Sequence, residues 1–321
     1  MTLLRGRNVR ISGTGVYIPE RVMRNVDFTN FLDTSDEWIS ERTGIRERHF
    51  AADGEKCSDL AYMAAKNALE NSGMSNKDID MVIVASNTPD SIFPPMACKV
   101  QSRLGAVDAG AFDVQAGCTG SLAAMQTAIS GIASGIWDNV LVIGCERFRD
   151  ILDWKDRKTC ILFGDAAGAC LLSVSEDGAG GFTAAKLFSD GTKADYIMAV
   201  PSDDSFQQLS MKGNDVFKYV NRNLPKFISD FCKESRVDVE QVNLWVLHQA
   251  NARIIDDIVR RLKISADRVP TNLERYGNTS AASLLVTLDE AVKNNKIKSG
   301  DKVCFAAFGA GMTFGALMYE A

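Results

Sequence analysis

Three residues in this chain have the types and settings for acyl chemistry on sulfur: Cys118, His248 and Asn278. Cys118 lies in "AGCTGS", between Gly117 and Gly120, where a turn of small residues opens a helical pattern. The N–H groups and dipole of a helix start favour thiolate over thiol there, and the glycines let a substrate approach the backbone. His248 ends the apolar run "LWVLH" and is followed by polar Gln249 and Asn251, unlike a core histidine. The only other histidine, His49, sits among the charges of "RERH" and reads as part of a solvated face. Asn278, in "YGNTSAAS", is placed either to cap the next helix or to donate from its amide. Singly, each has a structural explanation. Together they make a Cys-His-Asn set.

The elements that must bring these residues together occur twice. Apolar strand-like runs alternate with helical patterns, the mark of an α/β fold. In the first half "SDLAYMAAKNALENSG" leads to "DIDMVIVASN", then "GCTGSLAAMQTAIS", "DNVLVIGCE" and "FGDAAGACLLSV". In the second, "NDVFKYVNRNLPKFISDF" leads to "QVNLWVLHQAN", "GNTSAASLLVTLDEAV", "GDKVCFAAF" and "FGAGMTFGALMY". Asp80 to Cys118 is 38 residues and Asn243 to Asn278 is 35; Cys118 to Val140 is 22 and Asn278 to Val303 is 25. This predicts two similar halves, 1–176 and 177–321, about a pseudo-twofold axis, divided at the Gly-rich "SEDGAGGF". Cys118 and Asn278 then occupy equivalent helix starts. His248 falls at a strand end, where such sheets gather ligands.

Composition removes several other classes. With 46% hydrophobic and 24% charged residues the chain is globular, and a net charge of −5 argues against a nucleic-acid binder. Its apolar runs are strand-length, so no membrane span is expected, and "MTLLRGRNVRISGTG" leaves no room for a signal peptide's apolar core. The eight cysteines form no CxxC pair, so no metal site is expected, and most read as core residues in a reducing cytoplasm.

Papain-like proteases also carry Cys, His and Asn in this order, but the CGSCW-like signature is absent and a duplicated α/β core is not their architecture. The chain instead resembles the thiolase-like condensing enzymes. "DTSDEWISERTGIRERH", "AFDVQAGCTG", "DRKTCILFGDAAGA", "MKGNDVFK", "HQANARII", "YGNTSAAS" and "FGAGMTFGA" are similar to the motifs of β-ketoacyl-acyl-carrier-protein synthase III. Elongating synthases use Cys-His-His, thiolases a second cysteine in the last glycine loop, and hydroxymethylglutaryl-CoA synthases a glutamate base; these fit worse.

The resemblance implies a thiolase fold, a five-layer αβαβα core, in a homodimer that starts type II fatty acid synthesis without a metal or redox cofactor. Cys118 would take an acyl group from acyl-CoA, its oxyanion held by the N–H groups of Cys118 and Ala310. Malonyl-acyl-carrier protein would then lose carbon dioxide, with His248 and Asn278 donating to the enolate. Trp38 and Arg42, four residues apart and on one helical face, would sandwich the adenine of coenzyme A. Arg157, Asn214, Phe217, Ala250 and Asn251 would line its channel. Phe93 would close the partner's acyl pocket, with Ser121 and Phe308 in the same region. Arg253, Arg260 and Arg261, predicted on one face of a helix, and Lys218 would receive the acidic carrier protein. Thr34 and Glu37 read as a capping box before Trp38.

Departures from the family pattern centre on the nucleophile. Ala-Cys-Ala-Gly-Phe is usual there, and this chain has Gly117, Cys118, Thr119, Gly120 and Ser121. Ala310 replaces the usual oxyanion-loop glycine, which keeps its donor only if the backbone does not need φ > 0. A specialised-pathway condensing enzyme or acyltransferase of the same fold is the alternative. An idle carrier-binding subunit is disfavoured by the complete triad.

Overall fold

The computed structural model describes residues 3–175, 180–202 and 205–321, apart from the side chains of 202, 205 and 206. The predicted boundary at 176/177 lies outside the described residues. Strands in the first half are β1 (Val9–Tyr17), β2 (Arg21–Arg24), β3 (Glu47–Phe50), β4 (Met81–Ala85), β5 (Gly110–Val114), β6 (Asn139–Glu146) and β7 (Ala166–Val174). After them come β8 (Gly181–Ser189), β9 (Ile197–Ser202), β10 (Ser205–Met211), β11 (Leu244–Leu247), β12 (Lys302–Gly309) and β13 (Thr313–Glu320). The helices are α1 (Asn25–Phe28), α2 (Asp36–Thr43), α3 (Cys57–Ser72), α4 (Met96–Leu104), α5 (Gly120–Ala133), α6 (Gly213–Glu234), α7 (Ala252–Leu262), α8 (Leu273–Tyr276) and α9 (Ser283–Lys293).

The repeat read from the sequence is the repeat of the fold. One sheet has the order β1-β7-β6-β4-β5 and the other β8-β13-β12-β11. In each, the strand before the site pairs in parallel with the next repeat strand, Met81 opposite Val140 and Leu244 opposite Val303. That strand then pairs antiparallel with its successor, β6 with β7 and β12 with β13. Among the described residues, edge strand β5 has no counterpart in the second sheet.

Alternation along these strands builds the layers. Ile83 and Ala85 face a central core with Leu122 and Met125 of α5 and Leu284 and Leu288 of α9. Val82 and Val84 point the other way, onto Leu60 and Ala64 of α3. In the second sheet Val246 and Phe305 face the centre, and Trp245 and Cys304 pack under α6 and α7. Both faces of each sheet are covered, which is why the strands read as unbroken apolar runs. The stack is helices, sheet, α5 with α9, sheet, helices: the predicted αβαβα order.

A smaller apolar cluster, with Phe28, Ile39, Phe148 and Phe163 at its centre and Trp38 against it, walls the opening above the strand ends.

Candidate active site

Two tight backbone approaches set the nucleophile. Residues 117–119 form a single 3₁₀ turn that runs into α5, and Gly117 takes φ +58. A Cβ on Gly309, at the end of β12, would stand 2.5 Å from the Cys118 nitrogen. A Cβ on Gly117 would stand 2.8 Å from the Ala310 nitrogen and 3.2 Å from the Ala310 Cβ. The two departures from the family pattern, glycine for alanine at 117 and alanine for glycine at 310, thus face each other across one contact. Ala310 is not among the positive-φ residues; that conformation falls on Gly311 at φ +126. The condition for its donor is met.

His248 and Asn278 are fixed by their own partners. Nδ1 of His248 lies 2.6 Å from the Ser283 hydroxyl, whose oxygen also accepts from the Gln249 N–H at 3.4 Å. A Ser283 hydroxyl that donates to Nδ1 leaves the ring proton on Nε2, which is buried without a protein partner. Burial pushes the imidazole down to about 3, so it is neutral in the physiological range. Asn278 follows Gly277, whose φ +65, ψ −159 is closed to other residues. Its Oδ1 accepts from the Ser280 N–H at 2.9 Å, which leaves the Nδ2 group as donor.

Cys118, His248, Asn278, Phe308 and Ala310 line one cavity of about 1150 Å³. The Phe308 ring stands edge-on to His248 with centroids 5.3 Å apart. Trp38, Arg42, Arg157, Asn214, Phe217, Ala250 and Asn251 line the same cavity. The chain thus gathers residues scattered from 38 to 310.

Several expectations need correction. Helix α2 is capped by Ser35, which accepts from the Trp38 N–H at 3.1 Å, and not by Thr34; the serine stands three residues before Trp38, the spacing of the cap bond. Trp38 carries two guanidiniums, Arg42 at 4.6 Å and Arg157 at 5.1 Å from its ring centroid. With Arg42 resting on the ring, an adenine between the two requires that arginine to swing away. The Asn251 amide is committed: Oδ1 caps α7 through the Arg253 N–H at 2.9 Å, and Nδ2 donates to the Arg42 carbonyl at 3.1 Å. It braces α7 against α2.

Ser121 is fully buried and outside the lining, one residue into α5 and turned into the core. Phe93 is also outside it, 81% exposed beside Ile92 at 74%. The basic face divides. Arg253 lies over the Phe217 ring at 5.3 Å and lines the cavity. Arg260 and Arg261 both pair with Asp257, the latter at 2.7 Å, so part of their charge is compensated. Lys218 is exposed on α6, outside the lining.

Opposing influences meet on the thiol. Burial pushes Cys118 up to about 12, against a lowering hydrogen bond from Ser280. Desolvation thus opposes the pull of the helix start toward thiolate. Sequence reasoning missed the residues behind it. The Ser280 hydroxyl donates to Cys118 Sγ at 3.2 Å, and Asn87 and Glu146 lie next in line. The one signal was Glu146 itself, a carboxylate ending the otherwise apolar "VLVIGCE".

Residues 112–191 match the family profile of 3-oxoacyl-[acyl-carrier-protein] synthase III, and 232–321 match the profile of its C-terminal part. The chain is 43% identical over 316 residues to the β-ketoacyl-[acyl-carrier-protein] synthase III of Xylella fastidiosa, covering 96% of this chain and 97% of that one. The crystal structure of 3-oxoacyl-[acyl-carrier-protein] synthase III from Aquifex aeolicus is similar at TM-score 0.93 and 40% identity, over 98% of this chain and all of that one. The priming β-ketosynthase of a polyketide pathway is similar at TM-score 0.93 and 32% identity, over 98% and 97% of the two chains.

Proposed function

The chain belongs to the β-ketoacyl-acyl-carrier-protein synthase III family and is a condensing acyltransferase of fatty acid biosynthesis, and we propose that its primer is an acyl-CoA bound through Trp38, Arg42 and Arg157. The observation that carries this reading is the single cavity shared by Cys118, His248, Asn278 and the Trp38 cluster. A specialised-pathway role is not favoured, since relatives 43% identical over nearly the whole chain are β-ketoacyl-[acyl-carrier-protein] synthases III.

In the first stage Cys118 Sγ attacks the thioester carbon. The developing oxyanion accepts from the N–H groups of Cys118 and Ala310, and the coenzyme thiol leaves. In the second stage malonyl-acyl-carrier protein loses carbon dioxide, and the enolate oxygen accepts from His248 Nε2–H and Asn278 Nδ2–H. A neutral imidazole donor suits this step, because it stabilises the enolate without giving up its proton completely. The carbanion attacks the acyl carbon on Cys118, and the β-ketoacyl chain departs as Sγ is released. Thioester exchange and decarboxylation supply the chemistry, with no metal or redox group called on.

Exposed Ile92 and Phe93, near the open edge of β5, support a homodimer in which Phe93 meets the partner's acyl pocket. No helix among the described residues is long and apolar enough to cross a membrane. The reading places the enzyme in the cytoplasm, where its eight free thiols stay reduced.

Mass spectrometry after incubation with acyl-CoA tests the assignment. Acyl mass is expected on Cys118 in the wild type, none in Cys118→Ala, and acylated but condensation-deficient protein in His248→Ala and Asn278→Ala. Losing one such donor costs about 10²–10³ in rate. Wild-type condensation by Cys118→Ala would refute the nucleophile.

A further inference from the structure

The sulfur of Cys118 must carry negative charge when it attacks, and its surroundings offer that charge little support. Burial favours the protonated form, and Glu146, the charged group whose field reaches the sulfur, disfavours an anion there. His248 is neutral and brings no opposite charge. What remains is hydrogen bonding, and the Ser280 hydroxyl donates to Cys118 Sγ at 3.2 Å.

A hydroxyl can turn, so its direction depends on its other neighbours. The Glu146 carboxylate, buried at the end of β6, accepts through Oε2 from the Asn87 N–H at 3.0 Å and the Thr88 hydroxyl at 2.8 Å. The Thr88 oxygen in turn accepts from the Arg147 N–H at 2.7 Å, so its own proton goes to the carboxylate. Glu146 Oε1 accepts from Asn87 Nδ2 at 2.6 Å. A carboxylate ion only accepts, which fixes the Asn87 amide with its nitrogen on this side. The second proton of that nitrogen serves Ser280 Oγ, 3.3 Å away. The serine oxygen therefore accepts from Asn87, and its own proton is left for the sulfur.

The backbone holds the same aim. Ser280 is 1% exposed and takes φ +48, a conformation a serine adopts at a cost. Its N–H is tied to Asn278 Oδ1 at 2.9 Å.

The geometry points to Ser280 as a further catalytic residue, the donor that stabilises the Cys118 thiolate, with Asn87 and Glu146 as positioning residues that keep its hydroxyl donating. The donor serves twice. In the first stage it favours the ionised sulfur that attacks the thioester carbon. In the second, the bond between Sγ and the acyl carbon breaks, the electron pair returns to sulfur, and the same hydroxyl receives it. Through its N–H, Ser280 also ties the nucleophile to the enolate donor Asn278.

This inference rests on Cys118 being the nucleophile, although its first measurement needs no acyl-CoA. Iodoacetamide alkylation of Cys118 is followed by peptide mass spectrometry from pH 6 to 9 in the wild type, Ser280→Ala, Ser280→Gly and Asn87→Ala. Losing a hydrogen bond to an anion lowers its population about 10- to 100-fold. Both Ser280 variants should alkylate more slowly by that factor, their profiles displaced upward by about one to two pH units. Asn87→Ala, which frees the hydroxyl to turn, should lose less in the same direction. Single-turnover acylation by acyl-CoA should slow in parallel, with the half-saturating concentration little changed because the nucleotide is held at the Trp38 cluster. A site merely loosened by substitution would admit water, ease the burial that opposes ionisation and alkylate faster. Glycine suits φ +48, so Ser280→Gly decides if Ser280→Ala does not fold. Alkylation at the wild-type rate or faster in a folded Ser280 variant overturns the donor, and a wild-type rate in Asn87→Ala overturns its positioning. A wild type that gains no acyl mass on Cys118 from acyl-CoA overturns the proposed function instead.

Discussion

His248 should remain neutral in acid well beyond the range of an ordinary histidine. An imidazole titrating near 6.5 is about nine-tenths protonated at pH 5.5, whereas one held near 3 is more than about 99% neutral. The cause is desolvation: the residue is 3% exposed, its Nδ1 is taken by Ser283, and no carboxylate is among the causes of its shift. A folded-state value below the unfolded one means the unfolded chain binds the extra proton. Stability from this residue is therefore full above about 6.5 and is lost as pH falls toward 3. At pH 5 the loss is about 2 kcal/mol, at 1.36 kcal/mol per unit. Nitrogen-15 spectra of histidine-labelled protein contain two sets of ring signals, because the chain has two histidines. His248 should show a neutral ring protonated on Nε2 from pH 8 to 5.5. Urea denaturation at pH 7 and pH 5 should show the wild type losing about 2 kcal/mol more than His248→Gln. Imidazolium signals from His248 at pH 5.5, or equal losses in the two proteins, would refute the desolvation argument.

Trp38→Ala and Arg42→Ala should raise KM for acyl-CoA far more than for an acyl-pantetheine without the nucleotide; equal losses would show structural damage. Arg253→Glu should weaken use of malonyl-acyl-carrier protein more than Arg261→Glu, because Asp257 already offsets Arg261, and Arg261→Glu, outside the cavity lining, should leave Cys118 acylation by acyl-CoA nearly unchanged. That preference should fade with salt as the screening length falls from about 10 Å at 0.1 M to 3 Å at 1 M; steady-state rates at the two salts check it. Gly117→Ala should destabilise by roughly 2 kcal/mol, from its φ and its contact with Ala310. Adding Ala310→Gly should recover part of that, with a coupling of about 0.5–3 kcal/mol in a denaturation cycle; strict additivity would rule out the contact.

Most of the frame could be read from the chain because the signal is repeated. β4 with β11 and β6 with β12 are covered on both faces, so each half spells the same apolar runs, and the spacings carried Cys118 and Asn278 to matching helix starts. What escaped depends on contacts distant in sequence. Ser280 is one more small residue in "GNTSAAS", and only the fold shows that its hydroxyl meets a sulfur 162 positions away. The thiol's surroundings were hidden for a similar reason: a helix start is visible in sequence, and the desolvation that opposes it is not. Ser121 and Thr34 failed locally, where one residue of offset turns a side chain from a cavity into a core or moves a cap.

The methyl group shared between positions 117 and 310 also limits the routes by which this enzyme and its relatives can interconvert. Alanine facing alanine is the most crowded pairing of the two positions, and two single-residue changes separate glycine-alanine from alanine-glycine. A lineage passing through alanine at both positions must fit a methyl carbon 3.2 Å from its neighbour and 2.8 Å from the nitrogen meant for the oxyanion. Passing through glycine at both opens a gap of one methyl group and leaves the nitrogen clear. Descent therefore favours the order in which the large residue is lost before it is regained opposite. A graft of alanine at 117 alone carries the penalty of the blocked order, whereas glycine at 310 alone takes the open one.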